Sequence, residues 1–497
     1  MPRHLSGPRI RRGAARAGRP RPTQTEVVPK SGATLVTVRH SLLAKEVPML
    51  SPTASMRRTA AALTLAASCG ALAPAAEAAP PRPKNDPFYH YSGETPLEQV
   101  APGTVLKTRA KPLHIIGIPT PIRMVQLLYR STGQVGQPTV NVTSVLQPPV
   151  KLKTPRVLSY QSAYDSLSPD DQPSYALAGG NTFGGIINHG ETLLTSQWLL
   201  AGYHVAVPDT EGQQANFAAG PEYGLNTLDG LRAALASPAV GLKATSKAGL
   251  IGYSGGAIAT EWAAELAPTY APDIDDNLVG AAMGGVLVSP GHNLHYIEGS
   301  KTWAGVAPMA IIGAARAYGV DITPYLSAYG LKIYNKMKKA SISEVLGAYP
   351  GLRWKQLAKP EYPTAESIKI YVDLVNQLIM GTGGTPTTPL FIGQGAKGEL
   401  EGTPGDKPGI GKGDGVMIAG DVRSLARQYC DAGTKVEYRE YASRSHVSTL
   451  PAWLPSANGW LRQRFAGAPA PQNCATIAPG NPLDPIEYSG SDAAESR

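Results

Sequence analysis

The chain contains the stretch Ala248-Gly-Leu-Ile-Gly-Tyr-Ser254-Gly-Gly-Ala-Ile-Ala-Thr-Glu-Trp-Ala-Ala-Glu-Leu266. The residues before Ser254 are small or apolar, as in a short buried strand, and the residues after it favour a helix. Between them, Gly252-Tyr-Ser-Gly-Gly256 matches Gly-x-Ser-x-Gly, in which a serine lies on a strained turn that only small neighbours tolerate. The pattern occurs once in the sequence. Strand, turn and helix in this order predict that Ser254 is a nucleophile.

Short apolar runs alternate with helical patterns on both sides of this stretch. Strands are predicted at 157–160, 204–208, 249–253, 278–286, 390–394 and 436–441, and helices at 191–200, 225–236, 255–266, 422–430 and 453–465. Such alternation is typical of a mostly parallel sheet covered by helices. Together with the serine motif it predicts the α/β-hydrolase fold for residues 79–497.

The alternation stops between residues 289 and 381. Helical stretches at 303–318, 325–339 and 365–380 follow one another there without a convincing strand. We interpret residues 289–381 as an inserted helical cap over the carboxyl ends of the strands, where ligands bind in open α/β sheets. Its apolar residues could line an acyl-binding surface or pack equally well as ordinary helix core; they are Trp303, Val306, Met309, Ile311 and Ile312.

A serine nucleophile needs a base with a pKa near neutrality, which points to histidine. His292, His295 and His446 are the histidines that follow Ser254. In this fold the order along the chain is serine, acid, histidine. Because His292 and His295 precede any suitable acid, His446, which follows the last predicted strand, is the candidate base.

The acid of such a triad is expected after the preceding strand, at 390–394. Asp406, Asp414 and Asp421 all follow that strand. We favour Asp414, which lies on the compact turn Gly413-Asp-Gly-Val416 before the next helix, with Asp406 as the alternative. Asp421 fits better as the N-cap of that helix.

Two N–H groups should stabilise the oxyanion that forms during attack on an ester. One comes from the residue after the nucleophile, Gly255, and the other from a loop after an early strand. That loop is Tyr160-Gln-Ser-Ala-Tyr-Asp-Ser166, and Asp165 is the candidate in it. From spacing alone, Asp165 could equally be an ordinary turn residue.

The net charge of +9 does not indicate a nucleic-acid-binding protein, because the excess lies at one end of the chain. Residues 1–78 hold twelve of the 46 Lys and Arg residues and three of the 37 Asp and Glu residues, so the remainder is formally neutral. Neither a zinc-finger spacing nor a phosphate-binding glycine loop with its lysine is present. We expect no cofactor, no metal and no nucleic-acid partner.

Residues 56–78 have the three parts of a secretory signal peptide. Met56-Arg-Arg58 is followed by a small and apolar run at 59–73, and Ala76-Glu-Ala78 supplies a cleavage site. Residues 1–55 are then an upstream extension; the alternative is a disordered basic tail on a cytosolic protein. No other stretch is apolar for about 18 residues, so we expect an exported protein without a membrane-spanning helix.

The sequence has three cysteines. Cys69 lies inside the predicted signal peptide; a lipidation site there is less well supported, because Ala66 occupies the position where a lipoprotein signal normally has leucine. Cys430 and Cys474 remain, either as two free thiols or as a pair. An even number in an exported chain favours one disulfide.

Several segments resemble secretory lipases. They are Ser159-Tyr-Gln-Ser-Ala-Tyr-Asp165-Ser, Pro208-Asp-Thr-Glu-Gly212, Leu228-Asp-Gly-Leu-Arg-Ala-Ala234, Gly252-Tyr-Ser-Gly-Gly-Ala257, Trp262-Ala-Ala-Glu-Leu-Ala-Pro-Thr-Tyr-Ala-Pro272 and the segment from Gln428-Tyr-Cys430 through His446 to Cys474. The resemblance implies an α/β-hydrolase with a helical lid that hydrolyses acylglycerols and simple esters without a metal.

The resemblance also implies roles for individual residues. It places the triad on Ser254, Asp414 and His446, makes Asp165 and Gly255 the oxyanion donors, and supports a bridge between Cys430 and Cys474. Two departures stand out. The segment Asp171-Gln-Pro-Ser174 lacks the cysteine of the family's Asp-Cys-Ala-Pro-Ser, so one family disulfide is absent, and the loop between Gly395 and Asp414 is long.

Other functions of the same fold remain open at this point. A peptidase would need a group that anchors a peptide terminus, and the sequence shows no distinctive one. An acyltransferase would use the same triad with an alcohol as acceptor. A non-catalytic interaction module usually lacks the serine or the histidine, and both are present. We expect a monomer that acts on a lipid or ester substrate and contacts a lipid interface transiently.

Overall fold

A computed structural model of the protein describes residues 79–490. The predicted signal peptide at 56–78, the upstream segment at 1–55 and Cys69 lie outside the described residues.

Nine strands form one sheet in the order β1-β2-β3-β5-β4-β6-β7-β8-β9. The strands are β1 (Val105–Ile115), β2 (Ile118–Thr132), β3 (Pro138–Leu146), β4 (Val157–Gln161), β5 (His204–Pro208), β6 (Ala248–Tyr253), β7 (Leu278–Gly284), β8 (Leu390–Gly395) and β9 (Val436–Tyr441). Strands β1 to β3 are antiparallel, and β3 pairs antiparallel with β5. The strands from β5 to β9 in this order are parallel. The predicted mostly parallel sheet is confirmed.

All six predicted strands are present with ends shifted by at most two residues. Strands β1, β2 and β3 were not predicted from the sequence. These strands contain Pro112, Pro119 and Pro121, residues that normally exclude a segment from a sheet interior. The charged residues Lys107, Arg109 and Lys111 further interrupt the outer strand, so no continuous apolar run indicated it.

Helices cover both faces of the sheet. The helices outside the cap are α1 (Pro173–Leu177), α2 (Ile186–Leu200), α3 (Gly220–Ala236), α4 (Gly255–Tyr270), α5 (Pro272–Asp275), α12 (Ala419–Asp431) and α13 (His446–Phe465). One core contains α3, α4 and α12, and the core on the other face contains α1, α2 and α13. Single 3-10 turns occur at Pro83–Asn85, Pro87–Tyr89, Leu97–Gln99, Pro169–Asp171, Thr323–Tyr325, Ala365–Ser367, Gly398–Glu401 and Cys474–Thr476.

The segment between β7 and β8 is helical, as predicted. It comprises α6 (Pro290–Ile297), α7 (Val306–Ala317), α8 (Ala328–Met337), α9 (Ile342–Val345), α10 (Trp354–Leu357) and α11 (Lys369–Asn376). These helices share a core of their own that contains Met309, Ile333 and Val372. We call this segment the cap.

Helix α13 starts earlier than predicted. It begins at His446 rather than near Trp453, because Ser445 forms a capping box with Ser448. Pro451 and Pro455 lie inside the helix, where proline is normally disfavoured. The candidate base is therefore the first residue of a long helix and not part of a free loop.

The prediction that Asp421 caps α12 is wrong. The helix begins at Ala419 with Ile418 as its N-cap, so Asp421 lies within the first turn. Its carboxylate instead accepts hydrogen bonds from Asn481 Nδ2 at 2.7 Å and from His292 Nδ1 at 3.0 Å. Asp421 therefore joins α12 to the cap and to the C-terminal segment.

Cys430 and Cys474 form a disulfide, as expected. Cys430 lies on α12 and Cys474 follows β9, so the bond ties the last part of the chain to the sheet. Within residues 79–490, none of the helices has the length and hydropathy needed to cross a membrane.

Replacing both cysteines by serine should destabilise the protein. The bond closes a loop with a sequence separation of 44 residues, for which chain entropy predicts roughly 4 kcal/mol of stabilisation. Guanidinium chloride unfolding of the wild type, the double variant and reduced wild type measures the loss. A wild-type midpoint for both altered forms would contradict the prediction.

Candidate active site

Ser254 lies on a sharp turn between β6 and α4. Its backbone is left-handed, with φ of 57° and ψ of −122°, which is strained for a residue with a side chain. A Cβ added to Gly252 would lie 2.1 Å from the Gly256 carbonyl oxygen, and one added to Gly256 would lie 2.1 Å from the Gln161 carbonyl oxygen. The two motif glycines are therefore required by close backbone contacts on both sides of the serine.

His446 connects this serine to Asp414. Its Nε2 lies 2.8 Å from Ser254 Oγ, and its Nδ1 lies 2.8 Å from Asp414 Oδ2. A carboxylate accepts from Nδ1–H, which leaves Nε2 free to accept the serine proton. The structure thus brings together the three residues that the sequence analysis selected, from positions up to 192 residues apart.

Asp414 is fully buried and held on every side. Its Oδ1 accepts from Val416 N at 3.1 Å and from Met417 N at 2.8 Å, while its Oδ2 also accepts from Gln394 Nε2 at 2.9 Å. The His446 N–H donates to the Asp414 carbonyl oxygen at 2.7 Å. These bonds fix the carboxylate in one orientation toward the imidazole.

The pKa of His446 is raised above its ordinary value. Burial lowers the pKa, but the charge and hydrogen bond of Asp414, together with the charges of Glu401 and Asp165, outweigh it. The Tyr253 hydroxyl also fixes the histidine backbone by donating to its carbonyl oxygen at 2.6 Å. His446 is therefore an imidazole with raised proton affinity whose backbone is held by a hydrogen bond.

The other candidates of the sequence analysis lie elsewhere. Asp406 is exposed in the loop after β8. His292 contacts Asp421, and His295 Nε2 lies 2.6 Å from Glu366 Oε1 on the cap. The structure therefore places Asp414, and none of these residues, against His446.

Asp165 lies directly beside the turn that carries Ser254. A Cβ added to Gly255 would lie 1.7 Å from Asp165 Oδ1, so only glycine fits there. Asp165 also has a left-handed backbone, with φ of 35°. Gly255 is the first residue of α4, where N–H groups lack partners within the helix. The two predicted oxyanion residues are neighbours at the serine.

Two glutamates, the half-buried Glu191 and the buried Glu211, hold the loop of Asp165. Glu191 accepts from the Ala163 N–H at 3.0 Å and from the Ser162 hydroxyl, and Glu211 accepts from the Ser166 N–H at 3.1 Å. Burial, followed by the charge of Glu191, raises the pKa of Asp165 to about 7. Neither glutamate was predicted from the sequence. The segment Pro208-Asp-Thr-Glu-Gly212 was the only local signal for Glu211.

An apolar pocket of ≈ 770 Å³ opens at Ser254 and extends under the cap. Besides Ser254, Asp165 and Asn293, its walls are almost entirely apolar; they include Phe217, Ile258, Leu294, Ala310 and Val375. The pocket resembles small-molecule sites in having mostly apolar walls with a few polar groups.

Three of the five cap residues named in the sequence analysis line this pocket. They are Trp303, Val306 and Ile311. Met309 is instead fully buried in the core of the cap, and Ile312 faces a second apolar pocket of ≈ 620 Å³ within the cap. Different residues of α7 therefore face the pocket at Ser254 and the core of the cap, because α7 is packed on several sides.

Glu401 is a further carboxylate near the triad that the sequence analysis did not single out. It accepts from the Trp303 indole N–H at 2.7 Å and from the Val447 N–H at 2.9 Å. Nothing local in the sequence indicates these contacts, since Glu401 lies 98 residues from Trp303 and 46 from Val447.

Comparison with known proteins assigns the chain to a family. Residues 180–404 and 409–473 match the secretory lipase family. A Mycobacterium tuberculosis protein named "probable inactive lipase" is 31% identical over 414 residues, which are 82% of this chain and 88% of the relative. A trichothecene C-3 esterase of Fusarium sporotrichioides is 32% identical over 413 residues, covering 79% of this chain and 86% of the relative.

A crystal structure shows the same fold. Candida antarctica lipase A in its closed state superposes with a TM-score of 0.69 and 28% identity, covering 84% of this chain and 93% of the lipase. Together with the match of the family over more than half of the sequence, this confirms the α/β-hydrolase fold and the expected resemblance. The chain belongs to the secretory lipase family, whose members include lipases and esterases.

Proposed function

We propose that this chain is an exported serine hydrolase that cleaves carboxylic esters, acylglycerols foremost, through an acyl-enzyme on Ser254. The hydrogen-bonded chain from Ser254 through His446 to Asp414 is the observation that carries the proposal. Because one relative is named an inactive lipase, activity has to be argued from this chain's own residues.

The geometry supports acylation in the following order. His446 Nε2 takes the proton of Ser254 Oγ as the oxygen attacks the ester carbonyl carbon. The buried Asp414 carboxylate stabilises the imidazolium that results. His446 then donates the proton to the departing alcohol, and the acyl group remains on the serine.

Deacylation repeats these steps with water as the nucleophile. His446 accepts a proton from the water and returns it to Ser254 as the acid leaves. In both halves the oxyanion would lie near the N–H of Gly255 and near Asp165. One donor of this kind is worth about 10²–10³ in rate. The apolar pocket supports an acyl chain as the group that is held.

We further propose that a neutral lipid surface contacts the outer face of α2. Six of the thirteen large apolar residues that are exposed among residues 79–490 lie there or beside it: Ile116, Ile118, Phe183, Ile186, Leu193 and Leu200. The segments 112–122 and 172–202 contain no Lys, Arg or Asp and a single Glu, Glu191, whose carboxylate is bonded inward. Arg462 of α13 reaches this face, where its guanidinium donates to Gln197 Oε1 at 3.0 Å. A face with so little charge suits an uncharged ester phase.

Replacing Ser254 by Ala should abolish hydrolysis of a dissolved aryl ester and of emulsified triacylglycerol. Loss of the nucleophile costs about 10⁴-fold or more. Asp414→Asn should cost about 10⁴-fold because the histidine loses the orienting carboxylate. Rates are measured by titration of released acid, with circular dichroism as the test of folding.

The matched control is Asp406→Asn, which removes an exposed carboxylate from the same loop and should retain wild-type rates. Wild-type activity in Ser254→Ala, or loss of activity only in Asp406→Asn, would refute the assignment. Product analysis with glycerol present separates hydrolysis from acyl transfer, and an amide analogue of the ester tests for peptidase activity.

Replacing Leu193 by Ser should slow hydrolysis of emulsified triacylglycerol and leave a dissolved short-chain ester unaffected. Burying a leucine is worth about 1.5–3 kcal/mol, so binding to the emulsion should weaken about 10-fold or more. Val135→Ser is the control, since Val135 is 59% exposed and Leu193 is 62% exposed. Equal emulsion rates for the two variants would remove α2 from the lipid-binding surface.

A further inference from the structure

Glu401 joins the cap to the helix that begins with the triad histidine. It ends the 3-10 turn Gly398–Glu401, in the long loop between β8 and Asp414. One carboxylate oxygen accepts from Trp303 Nε1 at 2.7 Å, and the other accepts from Val447 N at 2.9 Å. Trp303 precedes α7 of the cap, and Val447 is the second residue of α13. A single side chain therefore holds two elements that the sequence keeps far apart.

The indole that Glu401 binds also contacts the imidazole. The ring centroids of Trp303 and His446 are 5.2 Å apart, and the rings are nearly perpendicular at 82°. This edge-to-face arrangement is favourable for aromatic pairs. Trp303 also lines the apolar pocket at Ser254. A substrate in the pocket would thus touch the residue that lies between Glu401 and the base.

Gly415, the residue after Asp414, packs against Glu401 and Trp303. A Cβ added to Gly415 would lie 2.8 Å from Glu401 Oε2 and 3.0 Å from Trp303 Nε1. Gly415 is adjacent to Asp414 and has φ of 130°, a conformation that side chains rarely adopt. The Gly415 carbonyl oxygen accepts from the Thr403 hydroxyl at 2.6 Å, which fixes the same loop again. Glu401 and Trp303 are therefore packed against the turn that orients His446.

We propose that Glu401 is a positioning residue for the proposed hydrolysis. Through its contact with Trp303, Glu401 couples the cap to the orientation and charge of His446. It touches none of the reacting atoms. Its carboxylate keeps the first turn of α13 and the indole in place around the imidazole. The proposal rests on the function proposed above and adds to it a residue outside the triad.

The charges around His446 indicate what Glu401 contributes besides geometry. Asp414, Glu401 and Asp165 are the acidic groups that face the imidazole, while Arg444 precedes it in the chain and donates to the Ser448 carbonyl oxygen. Burial opposes the imidazolium, and these three acids favour it. A negative charge near a histidine raises its pKa. Removing the charge of Glu401 should therefore lower the pKa of His446 and destabilise the imidazolium formed in each half-reaction.

Glu401→Gln tests the proposal, with Glu399→Gln as the matched control. Glu399 lies on the same 3-10 turn and is exposed. The measurement is kcat/KM for a dissolved short-chain aryl ester against pH. Since hydrolysis requires neutral His446, activity falls as pH drops through its pKa. Glu401→Gln should move that acid limb to lower pH and reduce kcat. Glu399→Gln should behave as the wild type.

Two more variants separate charge from contact. Glu401→Asp keeps the charge and should keep the midpoint of the acid limb near that of the wild type. Trp303→Phe keeps the ring and removes the N–H, so it should lower kcat with little change in that midpoint. A Glu401→Gln protein with reduced activity and an unmoved acid limb would reduce Glu401 to a structural role and overturn the proposal.

Failure of this proposal can be distinguished from failure of the proposed function. If the wild type hydrolyses no ester, the hydrolase assignment fails. The histidine can then still be followed in Ser254→Ala by NMR titration of the imidazole resonance that is absent from a His446→Gln protein. If the pKa of His446 is the same in Ser254→Ala with and without Glu401→Gln, the proposed coupling between Glu401 and His446 is contradicted.

Discussion

The crowded turn at Ser254 is the constraint on which the rest of the site depends. The serine keeps a left-handed backbone because its flanking glycines lie against carbonyl oxygens of the turn itself and of the end of β4. The Ser254 N–H also donates to the Gly284 carbonyl oxygen at 2.9 Å, which ties the turn to β7. Strain of this kind persists only when the surroundings over-determine it. Here two neighbouring parallel strands supply that support.

Each partner of the serine is held by a different part of the fold. His446 starts α13, and Asp414 lies on a turn braced by Gln394 at the end of β8. Asp165 lies on the loop after β4, between Glu191 and the buried Glu211. The residues thus meet at the carboxyl ends of strands, where open α/β sheets place their ligand sites. The cap then covers this edge with an apolar wall.

Buried carboxyl groups are a recurring feature around the site. Desolvation raises the pKa of Glu191 to about 7. Burial also raises the pKa of Glu211, assisted by the charge of Asp165. Such groups are costly to bury unless they accept hydrogen bonds, and both accept them from the loop of Asp165. Their placement is best explained as support for a loop that must keep a fixed position beside the serine.

The sequence was sufficient for the parts of the structure that have local signals. Five of the six predicted strands are largely apolar runs, while the edge strand β9 alternates apolar with charged residues. The serine motif lies between a strand and a helix, so the fold class and the candidate nucleophile were accessible. The start of α13 was missed, because Pro451 lies between the Ser445 cap and the predicted start of the helix at residue 453. Asp421 resembled an N-cap by spacing but bonds to partners far away in sequence.

Long-range contacts account for what the sequence did not indicate. Glu401 is held by hydrogen bonds from Trp303 and Val447. Glu191 is held by a hydrogen bond from a loop 28 residues away. No periodicity or motif encodes such pairs, since they form only when the cap and sheet have packed. In contrast, Asp414 could be favoured over Asp406 because a compact turn before a helix is itself a local feature.

Covalent labelling measures whether His446 activates Ser254 as a nucleophile, as proposed above. A fluorophosphonate is incubated with the protein, and the adduct is located by mass spectrometry of proteolytic peptides. We expect one phosphonate per chain, on Ser254, with labelling slowed by about 10²–10⁴-fold in His446→Ala. No adduct on Ser254, or labelling at the same rate without the imidazole, would contradict it.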